Sequence, residues 1–214
     1  MDVQESFILE VSSVDEARNI AASKWSLESG DIVAKVIEEE KTFFGFLGRK
    51  LTVEVRPVAP LFLLHGKKMV DSILSLMDLD VKSSELNDQF INISGEDAGI
   101  VIGKYGETLK ALEFLVNLML RDMDMEPVKR IKLDSDGYRG RREASLQRLA
   151  MAAARKTIRR QRPTYLEPMS SWERRVIHMT LKGRLDIETK SIGEEPSRKV
   201  VVWPSKSGRT SSNR

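Results

Sequence analysis

The chain has 214 residues, no cysteine, two histidines and a formal net charge of +3. The lack of cysteine excludes disulfides, thiolate metal sites and thiol nucleophiles, and a cytoplasmic setting is the expectation. Met1 to Glu10 lacks the basic start of a signal peptide. The longest apolar run, Val58 to Leu64, is far too short to span a bilayer, so no direct membrane insertion is expected. The charge is uneven. Residues 1–60 carry seven basic and 11 acidic side chains, residues 61–136 nine and 14, and residues 137–214 nineteen and seven. The basic last third suggests a polyanionic partner; a basic region that only aids solubility is the alternative.

Phe7, Leu9 and Val11 alternate as in a strand. Ser13 then caps a helix that runs to about Trp25, with Glu16 at the capping-box position, and Gly30 marks a break. Ile32, Ala34 and Val36 alternate, as do Leu51, Val53 and Val55. Between these two strands Phe43, Phe44, Gly45, Phe46, Leu47 and Gly48 form a dense apolar loop. In a domain this small the loop serves as a core plug; the alternative is an exposed docking patch. Gly45-Phe46-Leu47-Gly48 resembles the loop of the Jag N-terminal domain. Phe44 departs from that pattern, standing where lysine is usual.

Two prolines in Arg56-Pro57-Val58-Ala59-Pro60 mark a short boundary. Leu64 to Leu79 reads as a helix, Val81 to Leu86 as a weak strand, and Gln89 to Ser94 as a clear one with Phe90 opposite Ile91 and Ile93. A short helix then leads into Gly103-Lys104-Tyr105-Gly106, and a longer helix follows to about Met123, where Pro127 bars continuation. Glycine at both corners lets another backbone approach. The following helix N-terminus favours an anion, and Lys104 adds a positive charge. Val128 to Leu133 closes a sheet. Val101-Ile102-Gly103-Lys104-Tyr105-Gly106-Glu107-Thr108-Leu109 resembles the core motif of a KH domain, whose G-x-x-G loop clamps a nucleic-acid backbone. The resemblance implies the bacterial-type order of elements, with Ile100 and Ile102 in the base groove. Ile100, Val101 and Ile102 cannot all point outward, so at least one is core.

Asp134 to Tyr138 reads as a hinge. Arg139 to Arg162 forms a long helix, on which steps of about 100° place Arg141, Arg148, Arg155, Arg159 and Arg162 on one stripe. Leu146, Ala150, Ala153 and Ala154 fall opposite. The arginine fork suits phosphate; a solvated face is the alternative. Pro163 ends the helix. Ser170 or Ser171 caps the next one, on which Arg174 and His178, four apart, share a face. Arg174-x-x-x-His178, with Leu166-Glu167-Pro168-Met169 and Tyr138-Arg139 nearby, resembles the R-three-H domain, a single-stranded nucleic-acid-binding module. That resemblance implies that Arg174 and His178 hold a phosphate or stack on a base, with Arg175 assisting. Ile187 to Glu195 and Arg198 to Trp203 read as two strands, and residues 205–214 as a disordered tail.

The order of the three resemblances is similar to the Jag family, also called KhpB or EloR, of bacterial RNA-binding proteins. The expected fold is α+β: three small α/β modules in tandem, the last two joined by the long basic helix. Residues 1–56 form the first module, 57–63 a linker, 64–136 the KH module and 137–204 the R-three-H module. The resemblance implies a post-transcriptional regulator linked to cell elongation and division. Implied partners are single-stranded RNA, with single-stranded DNA as the alternative, and a smaller KH-domain protein or a second copy. No cofactor, metal or enzymatic activity is expected, since two histidines in separate motifs supply no acid–base pair. A second reading is a scaffold whose phenylalanine loop recruits a membrane-associated protein.

Overall fold

Alternating apolar residues build the first sheet from β1 (Phe7–Val11), β2 (Ile32–Glu40) and β3 (Lys50–Pro57), antiparallel in the order β1-β3-β2. The computed structural model describes residues 6–40, 50–87, 90–122 and 130–205. The phenylalanine loop, with Phe43, Phe44, Gly45 and Phe46, lies outside the described residues. Leu9 and Val36 both stand opposite Val53. Leu51, Val53 and Val55 are buried against α1 (Val14–Trp25) through Ala17, Ala21, Ala22 and Trp25. Three small side chains on one helical face let helix and sheet approach closely. Ser13 caps α1 by accepting the Glu16 N–H at 3.1 Å. The Glu16 carboxylate, however, accepts from the Ser12 N–H at 2.9 Å and the Ser12 hydroxyl at 2.6 Å, so the expected box closes one residue upstream. Ser26, at φ 54°, ends the helix before Gly30 is reached.

Helix α2 (Leu61–Leu76) starts directly after Pro60, three residues earlier than its apolar spacing suggests. Proline suits a helix start because its missing N–H has no intrahelical acceptor there. The early turns serve the first sheet: Leu64 joins its core, and Lys68 Nζ donates to the Ser26 carbonyl at 3.1 Å. Further along, Val70 and Leu74 are buried where α2 packs against the second sheet and its helix. That sheet is β4 (Val81–Asn87), β5 (Phe90–Gly95) and β6 (Lys132–Ser135), with β4 and β5 antiparallel and β5 and β6 parallel. Helices α3 (Ala98–Ile102) and α4 (Glu107–Asp122) connect β5 to β6. Leu109, Leu112, Val116 and Leu120 of α4 turn inward, as do Ile91, Ile93 and Leu133. Each such side chain contributes about 1.5–3 kcal/mol by leaving water. Strand β6 runs into the predicted hinge: Ser135 is fully buried and its hydroxyl donates to the Ile93 carbonyl at 2.9 Å.

The chain divides into two compact units, residues 1–136 and 137–214. The second comprises α5 (Tyr138–Arg160), β7 (Thr164–Pro168), α6 (Ser171–Leu181), β8 (Ile187–Ile192) and β9 (Lys199–Pro204). Its antiparallel sheet has the order β7-β9-β8. Leu146, Ala150, Ala153 and Ala154 of α5 and Ile177 and Leu181 of α6 pack on Leu166, Ile187, Val200 and Val202. Strand β7 follows Pro163 and ends on Pro168, so its sequence does not read as a strand. An edge strand tolerates them, since one row of its backbone groups faces away from the ladder. Ser205, read as the start of a disordered tail, is buried, and its N–H donates to the Asp186 carbonyl at 2.9 Å.

Candidate nucleic-acid interface

The loop between α3 and α4 is built for close approach. Gly103 and Gly106 adopt φ of +67° and +78°. A Cβ on Gly103 would sit 2.0 Å from Thr108 Oγ1, so no larger residue fits without displacing α4's first turn. Between them Tyr105 also takes a left-handed conformation, at φ 56° and ψ 24°. A bulky residue held there carries strain of order 1–3 kcal/mol, a pattern that clusters at functional sites. Lys104 and Tyr105 both project into solvent, with Nζ 5.7 Å from the ring centroid. Helix α4 opens directly after them at Glu107, whose own N–H donates to the Lys104 carbonyl. Of the three apolar residues before the loop, Val101 is core at 1% exposure, Ile100 is 55% exposed and Ile102 is half-buried. Ile100, Lys104 and Tyr105 thus offer an apolar side chain, a cation and an aromatic ring around a glycine-lined turn.

On the same unit α4 shows a second face that its apolar pattern did not reveal. Phe114 is 69% exposed, with Leu115, Leu118 and Met119 also partly in solvent. Phe114 and Leu118 line a shallow groove with Lys110, Arg121 and Arg130.

In the second unit the arginine stripe of α5 lies outward. Arg141, Arg148, Arg155, Arg159 and Arg162 are all exposed. Gln161 turns left-handed at φ 50°, so Arg162 stands just past the helix end. Helix α6 distributes the motif residues differently. Ser170 caps it in a reciprocal box with Glu173. Glu173 is buried, and its Oε1 accepts from Arg142 Nε at 2.9 Å and Nη2 at 2.7 Å. Arg174, one residue on, is only 6% exposed. Its guanidinium donates to the Met169 carbonyl and to Glu195, each at 2.7 Å. Arg174 in turn holds the Glu195 carboxyl below the usual carboxylate range. His178 is half-buried, with Nδ1 2.7 Å from Thr189 Oγ1 and Nε2 2.9 Å from Ser191 Oγ. Burial, then the Arg174 charge, push its pKa below the ordinary imidazole value. The ring is therefore neutral near pH 7 and engaged on both nitrogens by β8. The sequence pair Arg174 and His178 does come together on α6, but both side chains tie the helix to the sheet and its turn. Arg175 alone of the three faces solvent, in a groove with Trp172 and Met179. Spacing gives a shared helical face but not which way it turns. Among the described residues no three carboxylates or imidazoles are grouped to hold a metal ion.

Three family models match in chain order. The Jag N-terminus covers residues 10–57, the KH domain of KhpA/KhpB residues 67–132, and the R-three-H domain residues 144–204. The RNA-binding protein KhpB of Clostridium symbiosum is 33% identical over 202 residues, covering 89% of this chain and 87% of that protein. The RNA-binding protein KhpB of Bacillus subtilis (strain 168) is 34% identical over 200 residues, covering 89% and 94%. Domain content, domain order and near full-length identity agree, and the chain belongs to the Jag (KhpB) family.

Proposed function

We propose that this chain binds single-stranded RNA through two surfaces: the Gly103-Lys104-Tyr105-Gly106 loop with Ile100 and Ile102, and the basic C-terminal unit. The observation that carries the reading is the loop geometry. A strained, exposed tyrosine and a lysine sit between two positive-φ glycines at the mouth of a helix. Membership of a family whose relatives are named RNA-binding proteins supports it. In the C-terminal unit the exposed cations include the α5 arginines and Arg175. Arg148, Arg155, Arg159 and Arg162 carry no ion pair among the described residues. Arg174 and His178 act through them, by fixing α6 to β8 and to the turn that holds Glu195. The expected modules, 1–56, 64–136 and 137–204, divide this work, with binding assigned to the last two. The reading is binding without a chemical step, since both nitrogens of His178 are held by hydroxyls. No helix among the described residues is long and apolar enough to cross a membrane, which is compatible with a cytoplasmic regulator.

The test is the salt dependence of RNA affinity. Arg148→Gln, Arg155→Gln and Arg159→Gln together should lower the slope of log affinity against log salt by about 2, at about 0.7 per phosphate on a single strand. An unchanged slope would remove the stripe from the interface. Single-stranded DNA in the same titration separates the two nucleic acids.

A second observation favours a protein partner. The exposed Phe114 and Leu118 of α4 form an apolar face beside the loop's own helix, suited to a smaller KH-domain protein or a second copy. Light scattering of the full chain, alone and with such a protein, should show a pair that Phe114→Asp dissolves; no pair in either sample would end this reading. No described residue bears on recruitment of a membrane-associated protein by the phenylalanine loop.

A further inference from the structure

Cross-strand partners in an antiparallel sheet point to the same side. In the C-terminal sheet Tyr165, Val201 and Lys190 stand in one row across β7, β9 and β8. Pro168, Lys199 and Ile192 form the next row, and Trp203 faces Glu188 in the row beyond Val201. None of these residues belongs to the core that α5 and α6 cover, whose sheet residues are Leu166, Ile187, Val200 and Val202. The rows therefore occupy the face turned away from both helices. Tyr165 is 60% exposed there, Lys190 is exposed, and Lys199 and Trp203 are half-buried. The Lys199 ammonium lies 5.8 Å from the Tyr165 ring centroid.

An exposed tyrosine ring and a half-buried tryptophan ring, interleaved with two lysines around the fully buried Val201, match the chemistry of a single-stranded nucleic acid: ring faces for bases, cations for phosphates. Strand geometry separates Tyr165 from Trp203 by one strand spacing and two residue rises, about 8 Å, a gap an extended single strand can bridge. Glu188 beside Trp203 disfavours phosphate at that end and sets the backbone path along Lys190 and Lys199. We propose that this sheet face is a base-stacking platform for single-stranded RNA, with Tyr165 and Trp203 taking bases and Lys190 and Lys199 taking phosphates. It rests on the RNA-binding reading and adds to it a surface on the side of the sheet opposite to the α5 arginines.

The experiment is an anisotropy titration of the full chain with a short labelled oligouridine across a salt series. Tyr165→Ala should weaken binding about tenfold, the loss of one stacked base, whereas Tyr165→Phe should bind as the wild type does. Lys190→Gln with Lys199→Gln should lower the salt slope by about 1.4, two phosphates' worth. Lys190 is exposed and Lys199 half-buried, and Gln keeps most of each side chain's length, so this pair tests the face even if Tyr165→Ala lowers the melting temperature. Wild-type affinity in Tyr165→Ala, an equal loss in Tyr165→Phe, or an unchanged slope in the lysine pair would each overturn the platform while leaving RNA binding in place. A wild type that binds no RNA would overturn both.

Discussion

Replacing Lys104 and Tyr105 together by aspartate should weaken binding of single-stranded RNA by about 30-fold or more, with the melting temperature unchanged. Both side chains project from the loop into solvent, so their removal uncovers no core. Their loss takes away one cation and one ring face, and the new carboxylates repel the phosphate backbone at the helix mouth. Aspartate also tolerates the left-handed backbone of Tyr105 better than tyrosine does, so stability is kept or slightly raised. Exchanging the glycines would confound the result. A side chain at Gly103 collides with Thr108, and Gly106 is buried at φ +78°. Either substitution would disturb the start of α4 as well as the ligand. Anisotropy gives the affinity and circular dichroism the melting temperature. An unchanged affinity in the aspartate variant would take the loop out of the interface.

Glu173→Ala should destabilise the C-terminal unit by about 3–5 kcal/mol, the range for removing one partner of a buried ion pair. The Glu173 carboxylate is saturated: one oxygen accepts two bonds from Arg142, the other accepts the Ser170 N–H at 2.8 Å and hydroxyl at 2.7 Å. The Arg142 side chain, 18% exposed, would lose the counter-charge that justifies its burial. Helix α6 would lose half of its capping box at the same time. Against a total stability of about 5–15 kcal/mol, such a loss is large. Hydrogen exchange resolves it by unit: amides of α6 and β9 should lose protection, while those of α4, in the other unit, keep theirs. Arg142→Met combined with Glu173→Leu should recover most of the loss, because an apolar pair removes both charges together. A change under about 1 kcal/mol in Glu173→Ala would mean that water, not protein, satisfies these groups.

Legibility in the sequence tracked how local each cause was. The G-x-x-G turn, the capped starts of α1 and α6 and the α5 stripe depend on neighbours within a turn or two, and the spacing of Gly103, Gly106, Ser13 and the arginines revealed them. Strand β7 did not declare itself, since its prolines are tolerated only because it lies at an edge, and that is a property of the sheet. Ser135 reads as hinge chemistry until its hydroxyl finds the Ile93 carbonyl, 42 residues earlier. The direction of the Arg174–His178 face was equally hidden. Its hydrogen-bond partners, Glu195, Thr189 and Ser191, come from a hairpin more than ten residues downstream. The Arg142–Glu173 pair bridges two helices, and no single-helix pattern carries it. Phe114 and Leu118 look like core in any sequence, and only packing shows that the inward stripe of α4 is already filled by Leu112, Val116 and Leu120.

The most direct measurement is a titration of the wild-type full chain against labelled single-stranded RNA at several salt concentrations, with unlabelled duplex RNA as competitor. The account predicts saturable binding, log affinity falling linearly with log salt, and weak competition by duplex, whose stacked bases cannot reach Ile100 or the Tyr105 ring. Absence of binding at low salt, or equal competition by duplex, would contradict it.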